Sequence, residues 1–175
     1  MIHKRRYFLS RFLIFSFCLV SVFLLPYCAK KSKEPASAPD FSLKTIEDRE
    51  ITLSGLKGKV VLLDFWATWC GPCKESVPHL IQIYKNYQEK EFELIGMNMD
   101  KGEIDTVRHF VRSVDIPYPI IMTPDNVARQ YGVTGLPTTI LIDKKGKIRE
   151  KIVGFSKSIV QHMVDRVDEL TSEKP

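Results

Sequence analysis

Seven consecutive residues, Val60-Val61-Leu62-Leu63-Asp64-Phe65-Trp66, form an apolar run broken by one carboxylate. Such a run reads as a β-strand buried on both faces. A strand of that kind needs a layer of structure on each side, and the flanking sequence supplies candidates. Val77, Leu80, Ile81, Tyr84 and Tyr87 share one helical face over about Cys70 to Glu89, with Pro78 predicting a kink. A strand is expected over 91–97. Ile104, Val107, Phe110, Val111 and Val114 stripe a second helix, followed by a strand over 118–122 and a short helix from Asp125 to Tyr131 ending at Gly132.

The remaining segments complete an alternating pattern. Strands over 138–142 and 148–153 flank the turn Asp143-Lys144-Lys145-Gly146-Lys147, with Gly146 at a position suited to positive φ. A last helix runs from Ser156, a candidate N-cap, to Leu170. Before the buried run, Phe41–Leu43 and Glu50–Leu53 are short strand candidates. The order implies an α/β fold with a central mixed β-sheet flanked by helices.

The charge distribution excludes a nucleic-acid-binding reading. The net charge is +5, but residues 1–27 hold Lys4, Arg5, Arg6 and Arg11 and no acid. Apart from those four, 22 of the 26 basic residues face 21 acidic ones, and no basic stripe with interleaved aromatics appears. Residues 1–28 read instead as a signal peptide or a membrane or lipoprotein anchor: a basic start, an apolar run from Phe12 to Leu25, then Pro26-Tyr27-Cys28. As a helix that run would span only ~21 Å, short of a ~30 Å hydrocarbon core. Residues 29–39, rich in Pro, Ser and Lys, read as a flexible linker, and 40–175 as the folded domain.

Four cysteines are present, two of them, Cys18 and Cys28, in the leader. Cys70 and Cys73 are left for the folded part, three residues apart in Trp69-Cys70-Gly71-Pro72-Cys73-Lys74. Two cysteines on the first turn of a helix have neighbouring side chains, so a disulfide opens and closes with little backbone movement. The helix N-terminus favours an anion, which marks Cys70 as the attacking thiolate and Cys73 as the resolving thiol. Pro72 is tolerated because the first helical amides have no intrahelical partner. Asp64, the one carboxylate in the buried run, is the candidate acceptor for the Cys73 proton; burial raises a carboxyl pKa toward that of a thiol. Pro137, in Gly135-Leu136-Pro137-Thr138-Thr139, opens a strand; a cis bond there would expose backbone groups that pair with an extended substrate.

At these positions the sequence resembles the thioredoxins. Asp64 to Lys74 follows their active-site pattern nearly residue for residue, Pro78 stands where their active-site helix kinks, and 135–139 matches their cis-proline loop. The resemblance implies a thioredoxin fold, a cis bond at Pro137 and a proton-transfer role for Asp64. Leu53-Ser54-Gly55-Leu56-Lys57-Gly58-Lys59 and the leader resemble the TlpA/ResA-like branch of exported thiol–disulfide oxidoreductases, and this resemblance makes the first two strands an N-terminal extension and about 103–122 a helix–strand insertion. Members of that branch reduce disulfides outside the membrane, often in apocytochromes before haem attachment, with electrons from a membrane thiol carrier. Some also use an acidic residue after the strand that follows the active-site helix, where Asp100 and Glu103 stand.

The expectation is therefore an extracytoplasmic protein-disulfide reductase with a redox-active Cys70–Cys73 disulfide. Trp69, Gly71, Pro72, Leu136 and Pro137 are the expected substrate contacts. Its partners are disulfide-bearing proteins and a membrane thiol donor, with the chain tethered through residues 1–28, Cys28 a lipid attachment point, and the domain monomeric. No cofactor is implied. A zinc site would need two more ligands near the cysteines, and His3, His79, His109 and His162 are scattered. Two alternatives stand beside this reading. A thiol peroxidase of peroxiredoxin type needs a Thr three residues before its cysteine, where Ala67 stands. A non-catalytic thioredoxin-fold binding module would need neither cysteine.

Overall fold

The computed structural model describes residues 35–102 and 104–174. The leader with Cys18 and Cys28, and most of the expected linker, lie outside the described residues. Among the described residues, seven strands and four α-helices follow in order: β1 Ser42–Lys44, β2 Glu50–Thr52, β3 Val60–Trp66, α1 Gly71–Tyr87, β4 Phe92–Asn98, α2 Ile104–Ser113, β5 Ile120–Met122, α3 Asp125–Gln130, β6 Thr138–Ile142, β7 Ile148–Val153 and α4 Lys157–Ser172.

The buried run forms β3, the central strand of a five-stranded sheet ordered β5-β4-β3-β6-β7. It pairs in parallel with β4 and antiparallel with β6, so the sheet is mixed. Every residue of β3 is buried. Its side chains alternate between two apolar layers. Val60, Leu62 and Trp66 pack with Val77 and Leu80 of α1, Val107 of α2 and Val167 of α4. Val61, Leu63 and Phe65 pack with Phe41, Leu53 and residues Val127 and Ala128 of α3. Period-two alternation puts Asp64 on the first of these faces.

The N-terminal extension covers an open edge of the sheet. β1 and β2 pair as a two-stranded sheet. Just after β1, Thr45 bridges to Ile121 and the Ile46 N–H donates to the Ile120 carbonyl at 2.8 Å. The β5 edge is thereby paired rather than left open to another chain.

Several expected boundaries move by a residue or two, as helix and strand ends commonly do. The first strand is 42–44, Cys70 caps α1 rather than opening it, and β4 begins at Phe92. α1 continues through Pro78. Val114 falls past the end of α2 and is exposed, because α2 stops at Ser113.

A larger correction concerns residues 36–38, expected as linker. The Ala38 N–H donates to the Gly146 carbonyl at 2.9 Å, and the Ala36 carbonyl accepts from the Ile148 N–H at 2.8 Å. This stretch thus pairs with the β6–β7 turn through its backbone. The turn is also less exposed than its composition suggests. Lys144 is buried; its Nζ donates to the Thr171 and Glu173 carbonyls at 2.8 and 2.9 Å and pairs with Glu91 at 2.7 Å. Three oxygens around one ammonium satisfy all its donors, which is what makes the burial tolerable.

Candidate active site

β3 ends at Trp66, and four residues later the chain enters α1. Cys70 is the N-cap of that helix, in extended conformation, with Pro72 in the first turn. Its Sγ accepts the Cys73 backbone N–H at 3.2 Å, so the sulfur lies where the helix presents unpaired amides and the positive end of its dipole. Cys70 and Cys73 are joined by a disulfide, with an S–S distance of 2.02 Å and a Cα–Cα distance of 5.2 Å. The two sulfurs have different surroundings. Both pack in the apolar layer with Val77 and Leu80, but Cys70 keeps 6% of its surface exposed and lines an open groove, while Cys73 is fully buried and does not line it.

The groove has a volume of about 850 Å³ and is walled by three loops. Trp69, Gly71 and Pro72 form one wall and Met99–Gly102 a second. Val133–Leu136 forms the third, leading into the cis Leu136–Pro137 bond. Pro137 is followed by β6, and its carbonyl accepts the Gly154 N–H at 2.8 Å. Trp69 is 68% exposed, whereas Trp66 is buried against Phe110 with ring centroids 5.3 Å apart. Two neighbouring indoles thus have opposite places, one at the rim and one in the core.

Asp64 stands two residues before the end of β3, the strand that leads to the dithiol. It is 1% exposed, and neither carboxylate oxygen has a hydrogen-bond partner among the described residues. Burial pushes its pKa up to about 7; the neighbouring Thr139 opposes this without bonding to either oxygen. Across the parallel pair Asp64 faces Gly96, and across the antiparallel pair it faces Thr139. Beside it, the Asp64 charge and burial together push the Tyr118 hydroxyl well above its ordinary pKa, burial being the larger cause.

Asp100 stands two residues past the end of β4. Its carboxylate accepts the Thr68 backbone N–H at 2.8 Å and the Thr68 hydroxyl at 2.6 Å. The Thr68 hydroxyl, one residue from where a peroxidatic threonine would stand, is therefore turned to Asp100. Ala67 is buried. Sequence reasoning assigns Thr68 no role in the reductase site, and no local pattern announces its bond to Asp100. The histidines are placed apart: His79 packs against Phe155, and His162 Nε2 lies 2.6 Å from Glu150 Oε1.

A central mixed sheet with helices on both faces, and a disulfide at the N-terminus of the helix after its middle strand, define a thioredoxin-fold thiol–disulfide oxidoreductase. The chain belongs to the AhpC/TSA family, whose profile matches residues 36–151, and within it is of the ResA/DsbE type. It is 42% identical over 118 residues to the thiol-disulfide oxidoreductase ResA of Bacillus cereus, covering 67% of this chain and 68% of that protein. The ResA of Bacillus subtilis is 34% identical over 156 residues, 86% and 87% of the two chains. A crystal structure described as the thiol:disulfide interchange protein DsbE from Chlorobium tepidum superposes with a TM-score of 0.75 and 33% identity, over 80% of this chain and 99% of that one.

Proposed function

We propose that this protein reduces disulfides of other proteins outside the cytoplasmic membrane, through Cys70 as nucleophile and Cys73 as resolving thiol. The observation that carries the reading is the division of surroundings between the two sulfurs. Cys70 lines the groove at a helix N-terminus, and Cys73 is buried on the sheet face that holds Asp64.

The cycle follows from that division. The Cys70 thiolate attacks one sulfur of the client disulfide, and the other client sulfur leaves as a thiolate that takes up a proton from water. Cys73 then gives its proton to the Asp64 carboxylate and attacks Cys70 Sγ. The second client sulfur is expelled as a thiolate and takes up the proton that Asp64 then releases, so the client departs as a dithiol, two electrons richer, and the protein is left with the Cys70–Cys73 disulfide. A carboxyl with a pKa of about 7 suits this step, because near neutrality it is populated in both the accepting and the donating form. Trp69, Gly71, Pro72, Leu136 and the cis Pro137 supply the client-contacting surface around the groove.

A reductant outside the cell membrane must be recharged, so a membrane-embedded thiol carrier is its electron donor. Residues 1–28 tether the domain to the membrane, with Cys28 as a lipid attachment point. Apocytochromes awaiting haem are fitting clients, since they carry closely spaced cysteines that must be reduced.

The reading is tested by reducing the protein and following its reaction with insulin and with an oxidised Cys-x-x-Cys-His peptide, alongside its redox potential. Both substrates should be reduced, with a potential near about −270 mV. A potential near about −120 mV would make it an oxidant instead. Membrane fractionation and intact mass of the full chain with Cys28→Ala test the tether and the lipid.

A further inference from the structure

Asp100 lines the groove, and its carboxylate holds the loop that presents the sulfurs. Oδ2 accepts the Thr68 backbone N–H at 2.8 Å and the Asn98 side-chain amide at 2.8 Å. Oδ1 accepts the Thr68 hydroxyl at 2.6 Å. The Asn98 side-chain oxygen returns a bond by accepting the Asp100 N–H at 3.0 Å. Beside this network the Met99 N–H donates to the Trp66 carbonyl at 2.8 Å. Three donors thus converge on one acceptor-only group. An amide in its place would turn its own N–H groups toward at least one of them.

The loop so held spans Ala67 to Trp69 and joins β3 to Cys70. Trp69 is 68% exposed, so little packing fixes its indole. What holds it is the backbone on either side: Thr68 on Asp100, and the Cys70 N–H donating to the Ala67 carbonyl at 3.1 Å. The next residue, Lys101, forms an ion pair with Asp125 at the start of α3, the element that leads into the third wall of the groove.

We infer that Thr68 and Asp100 form a latch that positions Trp69 on the client-binding surface. They are positioning residues that act through Trp69, without touching the reacting sulfurs. The inference rests on the reading of Trp69 as a client contact. Freeing the loop leaves the sulfur chemistry in place but makes each client order the indole for itself, so the loss falls on binding.

The experiment uses the full chain and insulin as substrate. Thr68→Val keeps the backbone N–H and the side-chain shape and removes the hydroxyl. It should raise KM about tenfold, the lower end of what one hydrogen bond to a charged group contributes, with kcat kept within about twofold. Thr68→Ser should restore KM. In 15N relaxation, the order parameter of the Trp69 indole should fall in Thr68→Val and recover in Thr68→Ser, with the buried Trp66 indole as internal control. An unchanged KM and indole order parameter in Thr68→Val would overturn the latch, as would a parallel loss of kcat that Ser does not rescue. Should Thr68→Val not fold, Asp100→Asn is read by the same indole relaxation, and a rigid Trp69 there rejects the latch. If the wild-type protein fails to reduce insulin, the functional reading falls while the relaxation data still judge the latch.

Discussion

Gly96 stands directly across the parallel β3–β4 pair from Asp64, in a space where a side chain would not fit. A Cβ built at Gly96 would overlap Ile120 Cδ1 and lie 3.0 Å from Trp66 Nε1 and 3.3 Å from the Tyr118 ring. The absent side chain lets Trp66, Tyr118 and Ile120 close over the strand beside the buried acid.

Gly96→Ala is therefore expected to destabilise the fold by about 1–3 kcal/mol, the usual cost of overpacking. Ile120→Val, which removes the offending methyl, should recover part of that loss in the double variant. Urea denaturation of the three variants measures both effects. Equal midpoints for wild type and Gly96→Ala would show that the cluster gives way freely.

Asp64 should make stability fall as pH rises. Its ordinary pKa is 3.8 and its folded value is about 7. Between those values the folded protein keeps a proton that the unfolded chain releases, so stability declines from about pH 4 to pH 7 and stays reduced above. A shift of that size corresponds to roughly 4 kcal/mol. Asp64→Asn, uncharged throughout, should flatten the profile and be more stable than wild type at pH 8, by about 2–3 kcal/mol after the cost of a buried amide. It should also slow resolution of the mixed disulfide near neutrality. Parallel stability curves for the two proteins between pH 4 and pH 8 would refute the assignment.

Because Cys70 lines the groove and Cys73 does not, truncating them should have unequal consequences. Cys73→Ala should accumulate mixed disulfides on Cys70, and mass spectrometry of the trapped species names the clients. Cys70→Ser should trap none. Adducts on Cys73 in the Cys70→Ser protein at a comparable level would reverse the roles of the two sulfurs.

Trp69→Ala should leave the fold nearly unchanged, within about 0.5 kcal/mol, as for exposed positions generally. Its effect should appear in KM for protein disulfides. A large loss of thermal stability would mean that the indole serves the core and not the rim.

Much of this architecture was legible before any tertiary contact was considered. The seven-residue run of β3, the dithiol at the start of α1 and the Ser156 cap of α4, whose hydroxyl accepts the Ile159 N–H at 3.2 Å, are local patterns. Residues 36–38 were not legible, because their backbone pairs with Gly146 and Ile148 without any apolar periodicity to announce it. The burial of Lys144 was not legible either, because the carbonyls that enclose its ammonium come from beyond residue 170.

Hydrophobic period and three-residue spacing are properties of neighbouring positions. They determined the order of elements, the site of the dithiol and the acid in the central strand without reference to the rest of the chain. Tertiary structure decided the setting of those groups: the glycine opposite Asp64, the groove beside Cys70 and the carboxylate that holds Thr68. The last of these joins residues 32 positions apart. Such contacts depend on strand register and on how loops meet at the end of the sheet, which no local pattern encodes.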